Sequence, residues 1–184
     1  MSLLDTICER RDSGLFAPGK TGIVGFGVAQ LFGPDGELKQ EVEFTNLVTD
    51  VGDLYYAQRC ASGTPTAPTG MRLGTGNTAV AKNGAGAAIV TYANASNVAL
   101  TGGTPTAAAK AAGTGARITW QATWGAGVAT GNGLAEVVLT NESPLTNVAG
   151  TAANTIARAL LAPVVNKGAN DSLVVNWFHD VLGA

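Results

Sequence analysis

Between Arg117 and Trp124 the chain alternates. Ile118, Trp120, Ala122 and Trp124 fall on one side of an extended backbone, and Arg117, Thr119, Gln121 and Thr123 fall on the other. A period of two puts one face of a strand against a core and the other toward water, and it gives no stripe on a helix. The pattern recurs. Leu38, Val42 and Phe44 oppose Glu37, Lys39, Glu41 and Glu43, while Leu173, Val175 and Trp177 oppose Ser172, Val174 and Asn176. Further strands are expected at 23–32, 71–73, 89–92, 98–100, 134–140 and 155–165. Gly33-Pro34-Asp35-Gly36 supplies the turn of an opening hairpin over 20–48. The connections are rich in turn residues and lack the helices that parallel neighbours require. The expected fold is mainly β: an antiparallel β-sandwich or jelly roll with one short helix and an N-terminal arm.

The helix is expected over 50–61. Thr49 or Asp50 can cap it, Asp53 suits its first turn, and Val51, Leu54, Tyr55 and Gln58 recur at helical spacing. Leu54, Tyr55 and Tyr56 therefore read as core packing. Residues 1–19 read as the arm. Leu3, Leu4 and Ile7 suit a short helical face, and Pro18-Gly19 separates the arm from the body. Residues 20–184 read as a single β-sandwich domain. Within it, 79–116 is mostly Ala, Gly, Thr and Asn, a region of loops and edge strands expected to order against neighbouring molecules. The candidate contact residues are Leu3, Leu4, Ile7 and Phe16 on the arm and Ile89, Val90 and Tyr92 in that loop region.

Charge narrows the function classes. Only 13% of the 184 residues are charged, against roughly a quarter in ordinary globular chains. Low charge with abundant small residues fits a surface that meets other protein. The net charge is −2, and the nearest approach to a basic run, Arg10-Arg11, is flanked by Glu9 and Asp12. That leaves no electrostatic footprint for nucleic acid or for a polybasic membrane anchor. No apolar stretch approaches the roughly 20 residues of a membrane span. Met-Ser-Leu-Leu-Asp-Thr is not a secretory signal, so the protein is expected to be made in a cytoplasm. Cys8 and Cys60 either pair or, as the cytoplasmic setting favours, stand as two separate buried thiols.

No constellation of side chains announces chemistry. His179, the only histidine, closes the last strand beside Asp180 with no nucleophile or ligand cluster placed near it, and reads as a surface or strand-end residue. Gly74-Thr75-Gly76-Asn77-Thr78-Ala79 matches the loose dinucleotide fingerprint, but no convincing helix follows and 79–116 holds no Asp or Glu. Its glycines read as a tight turn with positive φ. Glu136 and Glu142 read as isolated carboxylates. Three Asn-X-Ser triplets, at Asn94, Asn141 and Asn170, read as chance matches. Trp120, Trp124 and Trp177 read as core aromatics, the other reading being a sugar-stacking platform. The expectation is a non-enzyme without cofactor or metal.

Three segments resemble tailed-bacteriophage virion structural proteins of the head decoration or cement type. Asn46-Leu47-Val48-Thr49-Asp50-Val51-Gly52 matches a strand-to-helix segment, Leu73 to Gly76 with Asn77-Thr78-Ala79 matches a Leu-Gly-Thr-Gly turn, and Ile156-Ala157-Arg158, Pro163-Val164, Lys167 and Asp171 to Trp177 match a C-terminal pattern. The resemblance spans most of 44–178. It implies a capsid decoration protein on the outside of the phage head, bridging capsid subunits. Its implied partners are the major capsid protein and copies of itself, as a trimer. Members of the group also occur as tail or fibre parts, which leaves receptor binding as the alternative.

Overall fold

The computed structural model describes residues 22–111 and 115–182. Its strands are β1 (Gly22–Phe32), β2 (Leu38–Val48), β3 (Gly70–Gly74), β4 (Val98–Ala99), β5 (Thr106–Ala109), β6 (Ala116–Trp124), β7 (Gly131–Thr140), β8 (Thr155–Lys167) and β9 (Ser172–Leu182). One α-helix, α1 (Asp50–Cys60), and two 3-10 turns, Gly84–Ala87 and Ala152–Asn154, complete the described elements. The arm, with Leu3, Leu4, Ile7, Cys8 and Phe16, lies outside them.

All nine strands join one antiparallel sheet in the order β4-β3-β7-β8-β2-β1-β9-β6-β5. The sheet curls into a half-barrel rather than dividing into the two sheets of the expected sandwich or jelly roll. A bridge between Leu100 and Ala122 stitches the chain just after β4 to β6, drawing the two sides of the curl together. Inside sits one core, to which Val42, Phe44, Leu73, Trp120, Trp124, Val137, Leu161, Val175 and Trp177 contribute. The alternation of β6 and β9 is realised in register, with Trp120 opposite Trp177, Ala122 opposite Val175 and Trp124 opposite Leu173. All three tryptophans are buried, so they form no sugar platform.

The opening hairpin forms as expected, with one local difference. The pairing shifts between Leu31 and Phe32, leaving Lys39 as an extra residue on β2. The bulge turns the strand end away from the core, and Leu38 is 45% exposed.

Helix α1 starts where the capping pattern puts it. Thr49 Oγ1 accepts from Gly52 N at 3.1 Å and donates to Thr155 O at 2.5 Å, tying the helix start to β8. The inward face of α1 includes Val51 and Tyr55, which pack against the core as expected, but not Leu54. Gly52 rests against β8 so closely that a Cβ there would stand 2.2 Å from Ile156 O. Tyr56, one turn on, follows Gly52 inward, while Leu54 points away and is 57% exposed. Cys60, at the last turn, is an exposed free thiol and not a buried one.

The 79–116 region differs most from expectation. Residues 89–92 form no strand beyond a single bridge from Tyr92 to Gly74. Val98–Ala99 pairs with β3 as β4, and Thr106–Ala109 pairs with β6 as β5.

Candidate functional site

The loop region is held by a charge pair on the outer face of the sheet. Glu136 on β7 and Arg158 on β8 alternate with core residues Val137, Ala157 and Ala159, so both point away from the core. Both are nonetheless wholly buried. Arg158 donates through Nη2 to Glu136 Oε2 at 2.7 Å and through Nε at 3.1 Å. Its Nη1 donates to the carbonyls of Thr78 (2.8 Å) and Gly86 (3.2 Å). Glu136 Oε1 accepts from the backbone N–H groups of Gly76 (2.9 Å), Thr91 (2.8 Å) and Val90 (3.1 Å). One ion pair thus grips both limbs of the 74–91 loop, with each charge meeting several hydrogen-bond partners, the condition under which a buried pair is tolerated.

This arrangement explains the glycine motif. Gly74 and Gly76 are not in the positive-φ region. A Cβ at either would stand 2.4 or 2.6 Å from Glu136 Oε1. The glycines permit close approach to a carboxylate instead of making a left-handed turn. The loop does cradle an anion with backbone amides, but the anion belongs to the chain.

A second support fixes the other limb. Ser96, buried, accepts from Leu73 N and donates to Leu73 O, and its carbonyl accepts from Trp124 Nε1 at 2.6 Å. Tyr92 donates to Asn147 Oδ1 at 2.7 Å, and the same oxygen accepts from Ala95 N at 3.0 Å. At the helix side Asp53 pairs with Lys82, and Asp50 accepts from Asn83 at 2.9 Å. Glu142 is likewise not isolated: it pairs with the buried Arg72 and accepts from Thr146 N.

These supports decide where the candidate contact residues stand. Val90 is exposed, Tyr92 is half-buried, and Ile89 is buried in the domain's own packing and gives no contact surface. An apolar residue in a polar loop reads as an outward contact, but Glu136 binds the amides of Val90 and Thr91 and holds the segment of Ile89 onto the sheet.

The free sheet edge is the other exposed feature. Among the described residues β5 pairs with β6 alone, and all four of its residues are exposed. Lys110 N donates to Gly115 O, continuing the β5–β6 register. By alternation Ala108 and Thr106 also donate inward, which turns the N–H groups of Ala107 and Ala109 outward. Edge strands are ordinarily blocked by lysine, proline or a bulge. The nearest lysine here, Lys110, reaches back to Asp180 at 3.2 Å and is nearly buried.

His179 is not a surface residue. It shares the inward parity of Leu173, Val175 and Trp177 and is wholly buried. Trp177 Nε1 and Asn46 Oδ1 each lie 3.0 Å from His179 Nε2. Nδ1 lies 2.5 Å from the Tyr56 hydroxyl. Burial holds the imidazole pKa down to about 3, with the Asp180 charge acting in the opposite direction. It is a neutral structural contact. Among the described residues no three His, Cys, Asp or Glu side chains gather as a metal-ligand set, and no helix is long and apolar enough to cross a membrane.

Comparison with known proteins finds no matching family model, no similar curated protein and no similar solved structure.

Proposed function

We propose that this protein is a non-catalytic structural subunit of a virus particle, a decoration or cement protein that binds the outside of a tailed-phage head. Its partners are the major capsid protein and further copies of itself arranged as a trimer. The observation that carries the reading is the open edge of β5: four exposed small residues, two outward N–H groups, and the neighbouring lysine turned back onto Asp180. Such an edge accepts a strand from another subunit, with backbone hydrogen bonds supplying affinity. The 74–92 loop, pinned by Glu136 and Arg158, presents Val90 and Tyr92 as a preformed second contact, so little ordering cost falls on binding.

The test is binding of the purified protein to expanded phage heads, with Ala107→Pro as the probe. Proline there removes an outward N–H without breaking the β5–β6 ladder. The expected result is an unchanged circular dichroism spectrum with at least a tenfold loss of head binding. Undiminished binding by Ala107→Pro rejects the edge as the contact. Gold-labelled antibody found only on tails of intact particles rejects the head assignment.

A further inference from the structure

Asparagine followed by glycine occurs twice in the chain, at Asn83-Gly84 and Asn132-Gly133. The pairing has a chemistry of its own. With no side chain on the following residue, the glycine nitrogen can approach the asparagine Cγ and displace its amide nitrogen. Both asparagines are exposed, so burial does not separate the two sites. The hold on the attacking nitrogen does.

Gly133 N, on β7, donates to Asn166 Oδ1 on β8 at 2.8 Å. To attack, that nitrogen must give up its acceptor and its place between the two strands. Gly84 is the first residue of the 3-10 turn Gly84–Ala87, and an N–H at that position has no acceptor within its turn. The Asn83 side chain does not cap the turn either. A Cβ on Gly84 would meet nothing within 4 Å, so solvent reaches this peptide. Asn83 Nδ2 donates to Asp50 Oδ2 at 2.9 Å. The restraint at Asn83 therefore falls on the departing nitrogen and not on the attacking one.

We propose that Asn83 is a site of spontaneous deamidation and that Asn132 is protected from it. Gly84 N loses its proton to solvent and bonds to Asn83 Cγ; the Cγ–Nδ2 bond breaks and ammonia leaves. Water then opens the cyclic imide at either carbonyl. One opening gives aspartate at position 83, and the other gives isoaspartate, with the main chain rerouted through the former side chain. Nothing is oxidised or reduced: an NH2 has been exchanged for an OH.

Both products disturb what holds the loop. Each removes a donor to Asp50 and brings a new negative charge beside it, and like charges at such range repel. Isoaspartate also adds a methylene to the main chain directly ahead of the 84–87 turn. That turn carries Gly86 O, which accepts from Ala81 N at 2.9 Å and from Arg158 Nη1 at 3.2 Å. The reaction is a slow, one-way clock on a tether between the 74–91 loop and the Glu136–Arg158 pair.

The full chain, incubated at neutral pH and sampled over days for peptide mapping by mass spectrometry, carries the test. The expected result is conversion at Asn83 severalfold faster than at Asn132. Asn166→Ala, which frees Gly133 N at an exposed position, is expected to raise the Asn132 rate severalfold. An unaltered Asn83, or an Asn132 that converts as fast as Asn83 in the parent, overturns the proposal. An Asn132 rate unmoved by Asn166→Ala overturns the protection by the donated bond. The effect on the loop is read by amide exchange. Val90 and Thr91, whose amides donate to Glu136, are expected to exchange severalfold faster in aged parent than in fresh. No such change is expected on ageing Asn83→Gln, whose longer side chain closes the ring slowly. Equal exchange in aged and fresh parent overturns the link to the loop.

Discussion

The hydroxyl of Tyr56 meets Nδ1 of His179 at 2.5 Å, joining the only described α-helix to the interior of the curled sheet. Within helix α1 only Gly52 is fully buried, while Val51 and Tyr55 pack partly buried against the core. The Tyr56 contact and the Thr49 cap add polar ties to the sheet.

Tyr56→Phe leaves Nδ1 of a buried imidazole without its hydrogen-bond partner. The expected cost is about 1–2 kcal/mol in urea denaturation, because an unsatisfied buried polar group forfeits its desolvation free energy. Amide exchange should quicken across α1 while β6 and β9 stay protected.

Acid should destabilise the protein through His179. Its folded pKa, held to about 3 by burial, lies below the ordinary value of 6.5. The unfolded chain takes up the proton first, so this contribution is complete above the unfolded value and is lost as pH falls toward the folded one. The expected slope in that window is about 1.4 kcal/mol per pH unit from this group. Thermal melts of the parent and of His179→Gln across that range should differ in slope, the variant being flatter.

Glu136→Gln leaves Arg158 buried without its counter-charge. The expected loss is about 3–5 kcal/mol by chemical denaturation. Replacing the pair together, Glu136→Leu with Arg158→Met, should remain at least ~2 kcal/mol below the parent, because three backbone amides still lose their acceptor. A double variant as stable as the parent would show that the carboxylate does not hold the loop.

Gly52→Ala should displace α1. The added methyl meets Ile156 O at 2.2 Å, so the helix must lift from β8. A loss of about 1–3 kcal/mol is expected despite alanine's better helix propensity, as in other overpacked sites. The opposite sign, a gain in melting temperature, would place the helix farther from β8 than described.

The long strands were legible because each carries one apolar face, and β1, β2, β6 and β9 appear close to where alternation puts them. Thr106–Ala109 escaped because Thr-Ala-Ala-Ala has no contrast between its faces; both lie in solvent, so no pattern was required. Residues 89–92 look like a strand by composition, yet their amides answer to Glu136, 45 and 46 residues away. Backbone donors leave no trace in sequence, and a lone carboxylate is therefore the hardest kind of centre to read. Parity offered a better signal for His179: 173, 175, 177 and 179 share one face, and three tryptophans already marked it as internal. The strand runs on to Leu182, so His179 lies within it and not at its end.

The glycine cradle of Gly74 and Gly76 has a consequence for molecular recognition. A loop that offers converging amides to a free phosphate fills in proportion to the phosphate supplied, and empties on dilution. Here the guest is covalently attached through β7, so its effective concentration is fixed by the fold and cannot be diluted. The cradle is saturated whenever the sheet is folded, and a soluble anion added to it competes against a ligand that never leaves.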